Sequence, residues 1–192
     1  MTKKAIVLIA DGTEDMEFTC TVDIIGRAGI EVISVGVELA NKTYAVCRQG
    51  IKIIPDAIFE NQSWVADDFD ALVVPGGLAG AQTLANNTNV QTLVQSFYAQ
   101  KKIVAFICAG PLVAKSSGIP NTHTLTSHPS VRDQLASVYT YSEDRVVVDQ
   151  NVITSRGPGT AFLFGLTIAE QLLGDKKLIE TMKEQMVTTS VL

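Results

Sequence analysis

Few residues in this chain combine a reactive group with a backbone setting able to use it, and Cys108 heads them. It ends the apolar run Ile103-Val104-Ala105-Phe106-Ile107 and is followed at once by Ala109-Gly110-Pro111. That pattern predicts a buried strand stopping in a sharp turn into a helix. Proline at a first helical position gives up an amide that would have had no partner, while Gly110 lets the backbone turn tightly without a Cβ clash. The sulfur then sits at a strand's carboxyl end, where open α/β sheets put their ligands, with helix amides aimed near it. A thiol so placed has a reason to ionise, since helix N-termini lower cysteine pKa values from ~8.5 toward ~3.5–7.5. The competing reading is a small buried hydrophobe, the ordinary fate of a lone cysteine after an apolar strand.

Three further groups could serve such a thiol. A carboxyl near the sulfur, as Glu17 would be, can shuttle protons or stay protonated and donate to the thiolate; burial and a thiolate neighbour both favour the neutral acid. Read alone, Glu17 is equally a surface acid in a helix's first turn, favoured by the macrodipole. The Gly76-Gly77 pair follows a strand, so the Gly77 amide can point where an oxyanion would develop, with the Ala109 amide as second donor. A turn needing positive φ would look the same. Neither Gly76-Gly77-Leu-Ala-Gly80 nor Gly157-Pro158-Gly159 has the spacing of a dinucleotide fingerprint. His128, held by Pro129, can assist proton transfer or orient a substrate, whereas His123 reads as an ordinary surface residue. The two histidines stand five apart with no acid or cysteine clustered beside them, so neither a metal nor a cofactor is expected.

These residues meet only if the elements between them form one sheet. Ala5 to Ala10 is a continuous apolar run, as a strand buried on both faces should be, and Asp11-Gly12 turns it into a helix with Met16, Cys20, Ile24 and Ile25 on one face, stopped at Gly29. A second strand spans about Ile30 to Val37. Residues 44–54 read as a short hairpin turning near Gln49-Gly50, Asp70 to Val74 as another buried strand, and Val90 to Tyr98 as an amphipathic helix. Beyond Cys108 come a helix to about Ser117, a segment Thr122 to Thr126, a second hairpin across Gln150-Asn151, and two closing helices, Ala161 to Leu173 and about Lys176 to Met186. Strands alternating with helices predict an α/β fold, a three-layer sandwich whose mostly parallel sheet carries antiparallel hairpins at its edges. Right-handed crossovers then bring the loops at Asp11–Glu17, Pro75–Gly80, Cys108–Pro111, Ser127–Pro129 and Arg156–Thr160 to one rim.

At 192 residues the chain reads as one domain, residues 1–192. Three cysteines with no C-x-x-C pair argue against a disulfide scaffold or a dithiol couple. The first apolar run is too short for a signal-peptide core or a membrane span, so sequons at Asn41, Asn61 and Asn86 carry no weight. Ser190-Val191-Leu192 lacks the lysine of the usual peroxisomal tripeptide. A formal net charge of −5 without a basic stripe disfavours nucleic acid as the main ligand. The expectation is a soluble protein of the cytoplasm, with the nucleus as a second location, that engages no membrane.

Taken together, Glu17, Gly76-Gly77, Ala105-Phe-Ile-Cys108-Ala-Gly-Pro111, Thr126-Ser-His128-Pro129 and Thr154-Ser-Arg156-Gly-Pro-Gly-Thr160 resemble the DJ-1 branch of the ThiJ/PfpI superfamily, essentially end to end. The resemblance implies a flavodoxin-like sandwich, a homodimer, and a nucleophilic Cys108 on a strained elbow beside Glu17 and His128. It implies ready oxidation of Cys108 to a sulfinate held by Glu17, and glutathione-independent glyoxalase activity on methylglyoxal or glyoxal, with deglycation and stress-sensing roles also credited to the family. The relatives carry a hairpin arginine contributed across the dimer; here Arg48 stands shifted by about one position, and Arg27 matches better as an anion contact. A cysteine hydrolase or amidotransferase is the weaker alternative, because Phe106 and Ser130 stand where that class wants glycine and glutamate. A non-enzymatic redox sensor working through Cys108 is the other alternative.

Overall fold

The computed structural model describes residues 2–188. β1 (Lys4–Ile9), α1 (Asp15–Arg27) and β2 (Glu31–Gly36) form the first β-α-β unit, followed by the short strands β3 (Ala45–Val46), β4 (Lys52–Ile53) and β5 (Ala57–Ile58). Then come β6 (Ala71–Val74), α2 (Leu78–Asn86), α3 (Thr88–Ala99), β7 (Ile103–Ile107) and α4 (Pro111–Ser116). After β8 (Thr124–Leu125), α5 (Arg132–Ala136) and β9 (Thr140–Tyr141), the hairpin β10 (Val146–Asp149) and β11 (Val152–Ser155) leads into α6 (Ala161–Leu173) and α7 (Lys176–Gln185). Gly29 and Gly174 sit at positive φ directly beyond α1 and α6, the left-handed stops expected of them.

Seven strands make one sheet in the order β10-β11-β7-β6-β1-β2-β5, parallel except for β10 against β11. The parallel core is a flavodoxin-like arrangement, and its strand order reverses between β1 and β6, which opens a crevice at their carboxyl ends. Side chains alternate across the sheet, so the continuous apolar runs split between two cores. Ile6, Leu8, Leu72, Val74, Val104 and Phe106 pack with α2, α3 and α4. Ala5, Val7, Ile9, Val73, Ala105 and Ile107 face the opposite way, toward α1 and α6. A Cβ at Gly165 would lie 3.0 Å from Ile24 Cβ, so the missing side chain is what lets α6 settle against α1.

Several expectations need correction. The 44–54 hairpin exists as β3–β4, but it forms its own two-stranded sheet; the edge beyond β2 is the parallel β5. Asp11 accepts Val46 N–H and Asp15 accepts Gln49 N–H, which anchors that hairpin to the start of α1 instead. Met16 is exposed and Phe18 takes its place in the core. The segment after Cys108 contains β8 paired with β9 and the short helix α5, which local periodicity did not mark. Ser190-Val191-Leu192 lies outside the described residues.

Candidate active site

Cys108 sits at φ +64, a left-handed conformation that costs a non-glycine residue of order 1–2 kcal/mol. The turn is thus made by the cysteine itself and not by Gly110, whose backbone is right-handed helical at φ −50, ψ −37. Glycine is still needed there, because a Cβ would lie 2.6 Å from the Val74 carbonyl oxygen. Two backbone bonds over-determine the strained residue: Cys108 N donates to Ser155 O at 3.0 Å, and His128 N donates to Cys108 O at 2.9 Å. The end of β11 and the 126–128 strap therefore clamp the elbow from both sides.

Glu17 arrives from α1. Glu14 caps that helix by accepting Glu17 N–H at 2.9 Å, which fixes the first turn with Glu17 pointing inward, fully buried. Its Oε2 accepts Gly76 N–H at 2.7 Å, and its carboxyl hydrogen-bonds Cys108. Gly76 must be glycine for this meeting: an added Cβ would lie 2.5 Å from Glu17 Oε2 and 2.9 Å from Cys108 Sγ. The Gly77 and Ala109 amides both donate to the Cys108 sulfur. Gly77 sits at φ +80, and a Cβ added to it would lie 2.5 Å from Glu14 N, so its positive φ and its role as donor coexist.

Burial pushes the Glu17 carboxyl up to about 7, against the opposing pull of its bonds to Cys108 and Gly76. Burial and the negative charge of Glu17 push the Cys108 thiol up to about 12, while the Gly77 and Ala109 amides pull it back. An acidic thiol, expected from the helix that follows, is therefore not what these surroundings give; α4 has only six residues, and burial outweighs its dipole. The two groups are instead coupled. When Glu17 takes a proton, its charge at the sulfur vanishes and its O–H can donate, so a thiolate is favoured beside a neutral acid.

His128 is half-buried on the same rim. Ser130 N–H donates to its Nδ1 at 3.2 Å, which leaves the proton of a neutral ring on Nε2. A Cβ at Gly157 would lie 3.4 Å from His128 Cδ2 and 4.0 Å from Glu17 Oε1, so both side chains flank that glycine. Glu17 Oε1 is buried without a hydrogen-bond partner. His123 is not a surface residue: it is buried, with Nε2 2.8 Å from Tyr98 Oη and Nδ1 3.4 Å from Asp149. Arg48 is exposed on the hairpin, near enough for its charge to lower the Glu17 pKa. Arg27, at the far end of α1 from Glu17, pairs with Asp23 at 2.6 Å and is not brought to Cys108 within the chain. Gly76 as donor to Glu17, and Ser155 and Gly157 as neighbours of the elbow, were not singled out from sequence. The doubled glycine after β6 and the Gly-Pro-Gly after β11 were the signals available.

A cysteine on a left-handed strand-to-helix turn, with a buried carboxyl and two amides at its sulfur, stands at the carboxyl ends of the strands of a flavodoxin-like sandwich. The chain belongs to the DJ-1/PfpI family, whose sequence profile matches residues 3–171. It is 41% identical over 189 residues to Protein dj-1beta of Drosophila melanogaster, covering 97% of this chain and 98% of that one. It is 42% identical over 185 residues to the protein named glutathione-independent glyoxalase DJ-1 of Schizosaccharomyces pombe, covering 91% and 93%. The crystal structure of the Drosophila DJ-1beta superposes with a TM-score of 0.90 at 38% identity, over 98% of this chain and all of the other.

Proposed function

We propose that this protein is a glutathione-independent glyoxalase that converts methylglyoxal to lactate. The observation that carries the reading is the buried Glu17 carboxyl, raised to about 7 and hydrogen-bonded to a Cys108 sulfur that receives two amides. The Cys108 sulfur adds to the aldehyde carbon, and its proton passes to the Glu17 carboxylate. The resulting hemithioacetal oxygen is met by the Gly77 and Ala109 amides. That oxygen takes the proton back from Glu17, whose carboxylate then moves a proton from C1 to C2 through an enediol, giving a lactoyl thioester, and water releases lactate and the thiol. His128 orients the substrate or assists that transfer, presenting the proton on Nε2. The same addition serves glyoxal and carbonyl adducts on protein or nucleotide amines, a deglycase and stress-protective role suited to the cytoplasm and nucleus. No helix among the described residues is long and apolar enough to cross a membrane.

The working form is a homodimer. Met16 on α1 and Val46, Ile51 and Ile54 on and beside the anchored hairpin are all exposed, an apolar patch that a second copy would cover. Lactate formed from methylglyoxal without glutathione is the test of activity: wild type should produce it, and Cys108→Ser and Glu17→Gln should not. Equal lactate from Cys108→Ser would remove the mechanism.

A second reading, redox sensing through Cys108, draws on the same donors. Sulfinate oxygens placed on this sulfur would find the two amides and a neutral Glu17 carboxyl. Limited peroxide should add two oxygens to Cys108, and Glu17→Leu should suppress that species; undiminished oxidation in the variant would discard Glu17 as its stabiliser.

A further inference from the structure

Arg156 follows Ser155, whose carbonyl accepts the Cys108 amide, so its backbone lies about one strand spacing, ~5 Å, from the elbow. The next residue is Gly157, which His128 and Glu17 Oε1 both approach. The guanidinium folds back along this rim. Its NH1 donates to Glu143 O at 2.8 Å and its Nε leans on Ser127 O at 3.4 Å, one peptide from the His128 bond to Cys108. Both partners are neutral carbonyls. Among the described residues no carboxylate forms an ion pair with Arg156, whereas the neighbouring Glu143 carboxylate goes to Arg132 at 3.5 Å. Two of its five N–H groups are engaged this way. A half-buried cation held by backbone oxygens alone keeps most of its charge for an anion brought to it.

We infer that Arg156 is a substrate-binding residue that selects 2-oxoaldehydes carrying a carboxylate or phosphate beyond the ketone. This rests on the glyoxalase reading and names its substrate class. The sulfur would take the aldehyde carbon, the amides its oxygen, and Arg156 the distal anion, with the neutral R group of methylglyoxal leaving that contact unused. The step balances as before: R–CO–CHO and water become R–CHOH–COOH, with the Cys108 thiol regenerated and no oxidant consumed.

The probe is 4,5-dioxopentanoate, a 2-oxoaldehyde with a terminal carboxylate, compared with methylglyoxal. Wild type should favour the acid in kcat/KM. In Arg156→Gln the ratio of the two values should fall about tenfold or more, the worth of a hydrogen bond to a charged group, and Arg156→Lys should restore part of it. An unchanged ratio would overturn the inference, including the case in which both values fall together because the 126–128 strap has shifted. A second measurement needs no turnover: Cys108 alkylation by anionic iodoacetate relative to neutral iodoacetamide should drop in Arg156→Gln. If wild type converts neither aldehyde but this alkylation ratio drops, the glyoxalase reading falls and the anion contact stands. If the alkylation ratio does not move, the anion contact falls whatever the turnover.

Discussion

At the scale of single residues, the chemistry turns on one buried proton. Glu17 has a folded pKa of about 7 against an ordinary 4.5, so the native state binds a proton more tightly than the unfolded chain. Its contribution to stability is therefore full below pH 4.5 and is lost as pH rises through about 7, by up to about 3 kcal/mol. Glu17→Gln should remove that decline, so the difference in unfolding free energy between wild type and variant should vary over this window; parallel pH profiles in urea titrations would contradict the assignment. Gly76 carries a second residue-scale prediction. Alanine there would set a methyl 2.5 Å from Glu17 Oε2 and 2.9 Å from Cys108 Sγ. Displacing either by about an ångström should lower kcat/KM roughly hundredfold. A variant of near-normal activity would mean that the carboxyl and thiol need not meet.

At the scale of elements, two packings hold the rim in place. α6 reaches α1 only because Gly165 has no side chain, and α1 carries Glu17. Gly165→Leu should cost about 1–3 kcal/mol in chemical denaturation by overpacking Ile24. The other packing is the line from half-buried Tyr98 through buried His123 to half-buried Asp149, which ties the end of α3 to β8 and β10. Asp149 also accepts Thr124 N–H at 2.7 Å, so β8 and the strap leading to His128 hang on this carboxylate. His123→Phe would strand a Tyr98 hydroxyl and should destabilise by about 1–3 kcal/mol; no loss would show that water replaces the imidazole freely. Element types followed from composition and periodicity, since apolar runs such as Ala71–Val74 and the i, i+3, i+4 spacing of Val90–Phe97 leave little choice. The β3–β4 hairpin was legible too, but not its placement, because its polar anchors to Asp11 and Asp15 are long-range contacts that no local pattern records.

At the scale of the whole molecule, the exposed apolar patch around Met16, Ile51 and Ile54 makes an assembly prediction. Sedimentation should give twice the chain mass of 20.6 kDa, and Ile51→Glu with Ile54→Glu should shift the protein toward the monomer. A wild type that sediments as a monomer at micromolar concentration would refute the dimer. The crevice belongs to this scale as well. Strand order reverses between β1 and β6, which places the α1 N-terminus against the Gly76-Gly77 turn and next to the end of β7. Glu17, Gly76 and Cys108 are brought together by topology, not by proximity in the chain.

Sequence by itself determined the α/β class, the strand-to-helix turn at Cys108, the glycine pair after β6 and the set of residue types that could meet on one rim. These are local: an apolar run, a proline at a first helical position, a doubled glycine. Only the tertiary structure decided that Glu17 is fully buried, that His123 lies inside, that Arg27 stays with Asp23 while Arg156 reaches the Ser127 carbonyl, and that the strain rests on Cys108 itself. The reason is desolvation. Whether a carboxyl is a surface acid or a neutral proton donor depends on what packs over it, and for Glu17 that cover comes from the turns that follow β6, β7 and β11, the nearest of them at Gly76, 59 residues away along the chain.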